Sequence, residues 1–144
     1  MSKAPGPRGR ARELAVQALY QMQIAGHDQN ELLRQFHARP EFARVDQEYF
    51  NEALLTVCER QAAFEEIIAA YSDRPIVQLD PVERAILLLG IFELTSRTDV
   101  PFRVVINESV NLSKRFGAAD GHKFINALLD RAAPELRAAE TGKR

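Results

Sequence analysis

The sequence predicts an all-α fold in one domain, and three observations carry that prediction. Apolar residues recur at helical spacing in one stretch after another. One of these stretches, Asp80 to Arg97, is apolar on nearly every side and calls for a helix covered by others. No strand signal competes, because Ile76, Val77 and Leu79 form a lone short run with no partner to pair with. At 144 residues the chain suits a single core.

The central helix has the best-marked start. Asp80 fits the N-cap, Pro81 fits the first helical position where a missing N–H costs nothing, and Glu83 sits where a capping-box carboxylate belongs. Val82, Ala85, Ile86, Leu87, Leu88, Leu89, Ile91, Phe92 and Leu94 then point in all directions. The stretch is too short to cross a bilayer, which needs about 20 apolar residues in a row. Glu83, Arg84 and Glu93 also interrupt it.

In chain order, residues 1–9 hold two prolines and two glycines among small and basic residues and read as a flexible basic arm. From Arg10, Ala11, Leu14, Ala15, Ala18, Leu19 and Met22 form one stripe that Gly26 ends. Arg12 and Tyr20 lie off the centre of that stripe, so Tyr20 either shares a surface with the arm or packs on a neighbouring helix. A short helix over 30–38 carries Leu32, Leu33 and Phe36 and stops before Pro40. Asp46 can cap a longer one with Phe50, Leu54, Val57, Cys58, Phe64, Ile67, Ile68 and Tyr71 inward, a break near Gln61 and an end at Pro75.

After the central helix, an amphipathic helix from Pro101 to Phe116 puts Phe102, Val105, Ser109, Leu112 and Phe116 on one face, with Asn107, Glu108, Asn111, Lys114 and Arg115 elsewhere and Gly117 as C-cap. Asp120 then caps a last helix with Ile125, Leu128, Leu129 and Ala132 inward and Phe124 at the rim, and Pro134 stops it. The polar stretch ELRAAETGKR is expected to fray. This gives a domain over 10–137 and a disordered tail over 138–144.

The formal net charge of −1 calls for no polyanion globally, so any such site comes from local clusters. Cys58 is the one cysteine, which excludes an internal disulfide or a multi-cysteine zinc site and suits a reducing compartment, the cytoplasm. On its apolar helical face it reads as a core filler. The basic N-terminus has no apolar segment behind it and does not read as a secretory signal. His27, His37 and His122 are scattered, and no phosphate loop or nucleophile elbow appears. In GAADGHK, Asp120 is explained by capping and the histidine and lysine by solvation, so no catalytic group is assigned.

Three segments, RARELAVQALYQMQ, PVERAILLLGIFEL and VPFRVVINESVNLSKRFGAADGHKFINALLDRAA, occur in that order. Together they resemble the NusB family of bacterial transcription antitermination factors from about Arg8 to Arg137. The resemblance implies a compact all-α fold of about seven helices in two small perpendicular bundles, with no cofactor, metal or catalytic step. It also implies binding of boxA-type single-stranded RNA jointly with NusE, a ribosomal small-subunit protein, within the RNA polymerase antitermination complex on ribosomal RNA operons. Carried over residue by residue, the RNA surface would use Arg8, Arg10, Arg12, Tyr20, Phe116, Asp120, Lys123 and Phe124, and NusE would meet Tyr71, Glu83 and Arg84. Cations for phosphates and rings for splayed bases suit a single strand. Pro7 and Gly9 interrupt the arginine arm, and the linker SDRPIVQLDP departs from the family pattern. An RNA-binding module of the same fold, of the kind appended to RNA methyltransferases, and a protein-only adaptor are the other readings.

Overall fold

Six α-helices and two short 3-10 turns build the computed structural model, which describes residues 5–138. The helices are α1 (Pro7–Ala25), α2 (Gln29–His37), α3 (Gln47–Tyr71), α4 (Pro81–Ser96), α5 (Phe102–Phe116) and α6 (Gly121–Leu136). The 3-10 turns are Pro40–Arg44 and Ile76–Gln78. The described residues contain no strand, as the pattern predicts, and six helices stand where about seven were expected.

The starts follow local chemistry. Asp80 accepts from the Val82 N–H at 2.7 Å, Asp46 from Tyr49 at 3.1 Å and Asp28 from Glu31 at 2.9 Å, each satisfying a donor that the first turn leaves orphaned. Gly26 ends α1 at φ 69°, a left-handed conformation that suits glycine.

As expected, α4 has no wet face: every residue from Ala85 to Leu94 is buried. It packs against α1, α3, α5 and α6 and so joins the α1–α3 group to the α5–α6 pair. Gly90 lets its neighbours close in, since a Cβ there would stand 3.2 Å from the Ser109 hydroxyl and 3.3 Å from a Leu129 methyl.

Several boundaries differ from expectation. Helix α1 begins at Pro7, so residues 7–9 of the expected arm are helical; residues 1–4 lie outside the described part. The Asp46 N–H donates to the Pro7 carbonyl at 2.9 Å and Arg8 pairs with Asp46, which ties this turn to the start of α3. Helix α3 leaves helical geometry at Arg60, φ −112° and ψ 22°, beside the expected break. It ends at Tyr71 rather than at Pro75, where the Ser72 hydroxyl donates to the Arg74 carbonyl at 2.7 Å and accepts from its N–H. Gly117 ends α5 in extended rather than left-handed backbone.

Pro134 does not stop α6, which runs on to Leu136. A proline so near the end forfeits one backbone bond, and the last turn has an anchor from outside the helix. Arg137, expected in a fraying tail, is buried and donates to the carbonyls of Leu94 at 2.6 Å, Glu93 at 2.9 Å and Arg97 at 2.9 Å. It thereby gives the Leu94 carbonyl a donor and adds a second one to the carbonyls of Glu93 and Arg97, which already accept from the Arg97 and Val100 N–H groups. The remainder of the expected tail, residues 139–144, lies outside the described part.

Candidate nucleic-acid interface

Helices α1 and α5 both lie against α4 and make few contacts with each other, which leaves open space between them. A cleft of about 750 Å³ runs between the start of α1, with Arg8, Gly9 and Glu13, and the outer face of α5, with Glu108, Asn111, Lys114 and Arg115. The first turn of α1 has no acidic residue and no side-chain cap, so its partial positive charge is left uncompensated within the helix. Arg8 bridges to Asp46 at 2.9 Å and lies 4.9 Å from the Tyr49 ring centre, keeping about a third of its side chain exposed. Burial pushes the Asp46 carboxyl up, but the Tyr49 N–H and the Arg8 cation outweigh it and hold Asp46 below its ordinary range. Arg10 donates to the Pro5 carbonyl at 3.1 Å, Arg115 pairs with Glu13 at 3.1 Å, and Lys114 is exposed.

Further along α1 a second groove, of about 440 Å³, is lined by Val16, Gln17, Tyr20, Gln21, Ile24 and Ala25 with Arg39, Val82 and Phe116. Tyr20 is 40% exposed, so of the two alternatives left by its spacing it takes the surface one. Phe116 is half-buried, with the Arg115 guanidinium 5.3 Å from its ring.

Arg12 also lines the first cleft but is held from within. It is 6% exposed, and its guanidinium forms two hydrogen bonds to Glu93, at 2.9 and 3.0 Å. Burial works against its charge, yet the Glu93 hydrogen bonds and charge outweigh that cost and raise its pKa. Its guanidinium is thus already engaged within the protein.

Asp120 and Lys123 form an exposed pair at 3.5 Å at the start of α6. The Asp120 side chain does not cap the helix, contrary to the expectation from spacing. Phe124 is half-buried, with the Arg74 guanidinium 4.1 Å from its ring centre. Neither these three nor Tyr71, Glu83 and Arg84 line the two α1–α5 clefts.

Of the three residues expected to meet the partner, Tyr71 is half-buried and its carbonyl accepts from Arg131 at 3.1 Å. Arg84 pairs with Glu65, with Nε at 3.0 Å. Glu83 makes no capping box: it is 6% exposed, and its carboxylate lies against Gly121, in space that a side chain there would occupy, near the unpartnered Ser113 hydroxyl. Burial, then the Asp80 charge, push its pKa up, while Arg74 pulls it down.

Sequence reasoning left Asn111, Lys114, Arg115, Gln17 and Arg39 out of the site. A signal existed for two of them, since Lys114 and Arg115 immediately precede Phe116 on α5. Among the described residues no group of three or more His, Cys, Asp and Glu side chains could hold a metal ion, and no helix is long and apolar enough to cross a membrane. Burial raises the Cys58 thiol above its ordinary value, in keeping with a packing role.

Comparison with known proteins agrees with this architecture. The model of the NusB family matches residues 9–134. The transcription antitermination protein NusB of Halorhodospira halophila is 51% identical, over 95% of this chain and 89% of that protein. Its namesake from Alcanivorax borkumensis is 46% identical over 97% and 93%. Among solved structures, T. maritima NusB superposes with a TM-score of 0.78 at 27% identity, covering 93% of this chain and 94% of that one. A crystal structure of antitermination factors NusB and NusE in complex with dsRNA shares the fold, with a TM-score of 0.75 at 24% identity over 88% and 96% of the two chains. A family match across most of the length, close relatives and a shared fold lead to one conclusion: the chain belongs to the NusB family.

Proposed function

We propose that this protein is a cytoplasmic transcription antitermination factor that binds boxA-type single-stranded RNA jointly with NusE, as part of the RNA polymerase antitermination complex. One observation carries the RNA reading: the α1–α5 face gathers Arg8, Lys114 and Arg115 in one cleft and sets exposed Tyr20 and half-buried Phe116 in the lining of the next. Cations track phosphates, and rings accept unstacked bases. Asp120, Lys123 and Phe124 extend the contact around the start of α6. Tyr71 and Arg84 meet NusE, whereas Glu83 is buried against Gly121 and is not displayed to a partner. The reading has no catalytic step. The relatives' name supports the antitermination role, and the NusB–NusE–dsRNA structure supports NusE and RNA as partners.

Gel-shift titration of a boxA-type strand and of its duplex, each with and without NusE, tests the reading. The expected result is weak binding of the strand alone and tighter binding with NusE. Equal affinity in both conditions, or preference for the duplex, refutes it.

A further inference from the structure

We propose that the groove between the second half of α1 and the end of α5 is a pocket for one unstacked nucleobase, whose edge is read by Gln17 and Gln21. This rests on the RNA reading above and deepens it, by assigning a base-edge contact to side chains outside the expected set.

Exposed apolar surface marks the place first. Among the described residues five large apolar side chains are exposed, and two of them, Tyr20 and Ile24 at 60%, line this groove together with half-buried Phe116. Aromatic and aliphatic walls suit the flat face of a base.

The two amides supply the edge, and the surrounding bonds fix which way each one points. Arg39 donates to Gln17 Oε1 at 2.9 Å, and Arg39 is itself held with its guanidinium 3.9 Å from the Phe36 ring centre. This assigns Oε1 as the Arg39 acceptor and leaves Gln17 Nε2 with its N–H groups uncommitted. Gln21 is held the opposite way: its Nε2 donates to Gln35 Oε1 at 2.5 Å and lies 2.9 Å from His27 Nδ1. Its Oε1 is left as the free acceptor. Positions 17 and 21 are four residues apart and share a helix face. The groove thus offers one oriented donor and one oriented acceptor above apolar walls, which matches the neighbouring acceptor and donor on the pairing edge of a base.

The same polar atoms weigh against a protein occupant. An apolar side chain or helix laid in the groove would leave the Gln17 N–H groups and the Gln21 oxygen without partners, a costly outcome. Arg39 is the single charged group in the lining, and a cation suits the phosphate that accompanies a base. The groove also continues the basic cleft along the same two helices; from Arg8 to Tyr20, α1 rises about 18 Å, a track for several nucleotides.

The test compares a boxA-type strand with a panel of the same strand lacking one base at a time, backbone intact. Two variants are used: Gln17→Glu, which keeps shape and the Arg39 contact but turns the donor into an acceptor, and Gln21→Leu. Gln17→Glu should keep the wild-type melting temperature, and Gln21→Leu, which also gives up the bonds to Gln35 and His27, should melt slightly lower yet stay folded. Each should bind the intact strand about tenfold more weakly. On one particular abasic strand that penalty should vanish, because the base that met the amides is gone. A Gln17→Glu penalty of the same size on every abasic strand is simple charge repulsion and overturns the pocket, as does wild-type affinity in both variants. Loss of NusE recruitment with RNA affinity intact assigns the groove to a protein and overturns it too. If wild-type protein binds the strand neither alone nor with NusE, the RNA reading itself fails, an outcome distinct from all of these.

Discussion

Arg12 on α1 and Glu93 on α4 meet through two parallel hydrogen bonds of 2.9 and 3.0 Å, with their side chains 7% and 2% exposed. Such a pair adds little net stability over apolar residues of similar size, because burying both charges offsets their attraction. Breaking it from one side is another matter. Arg12→Ala is expected to lose about 3 to 5 kcal/mol in urea unfolding, since Glu93 is left buried and alone. The variant that remains folded should bind RNA nearly as wild type does. A large affinity loss with unchanged stability would return Arg12 to the RNA surface.

Salt dependence separates the cations that touch phosphate from those that only lie nearby. Removing a phosphate contact to a single strand flattens the plot of log K against log salt by about 0.7. Arg8→Ala and Lys114→Ala are each expected to do so, and Arg12→Ala is not. Arg8 also loses its Asp46 bridge, so its variant should show a small drop in melting temperature as well. An unchanged slope would remove that residue from the interface.

Stacking and packing part company at adjacent positions of α1. Tyr20 is 40% exposed and Leu19 fully buried. Tyr20→Ala should weaken RNA binding by about 1 to 3 kcal/mol with little change in unfolding. Leu19→Ala should cost about 2 to 5 kcal/mol of stability while the folded protein binds normally. Affinity and urea titrations on both variants check the pair, and a stability loss at Tyr20 with intact binding would make it a packing residue.

What was legible in the sequence was local. Asp46, Asp80 and Gly26 act on atoms two to four residues away, and a short window of sequence contains both halves of each interaction. The full burial of α4 was legible for a similar reason, because apolar residues pointing in every direction leave no alternative to a cover. Arg12 was not, since its partner lies 81 residues further on, and a basic residue near a basic arm looks like part of it until Glu93 is in view. Arg137 was hidden in the same way by carbonyls more than 40 residues distant. Asp120 and Glu83 show the converse limit: both have residue types and spacings that suit capping, and neither makes the bond. In the candidate site, Tyr20 was readable as a ring off its stripe, Phe116 lay on one and entered only through the family resemblance, and Gln17 and Arg39 become neighbours only once α1 and α2 have packed.

Glu83 gives a prediction in pH. Its folded pKa lies above the ordinary carboxylate value of 4.5, because burial and then the Asp80 charge disfavour ionisation more than Arg74 favours it. Below 4.5 the carboxyl is protonated in both folded and unfolded chains and costs nothing. As pH rises from there through the folded pKa, the unfolded chain gives up the proton first, so the folded state loses stability and stays lower once both are ionised. Glu83→Gln carries no such charge. Its stability relative to wild type should therefore rise with pH across that window and level off above it, as measured by urea unfolding at a series of pH values. The ionisations shared by the two proteins cancel in the difference. Because the side chain is buried against Gly121 and not displayed to a partner, the variant should also bind NusE as wild type does. A variant that is less stable at neutral pH, or stable but unable to bind NusE, would show that the ionised carboxylate makes a contact of its own.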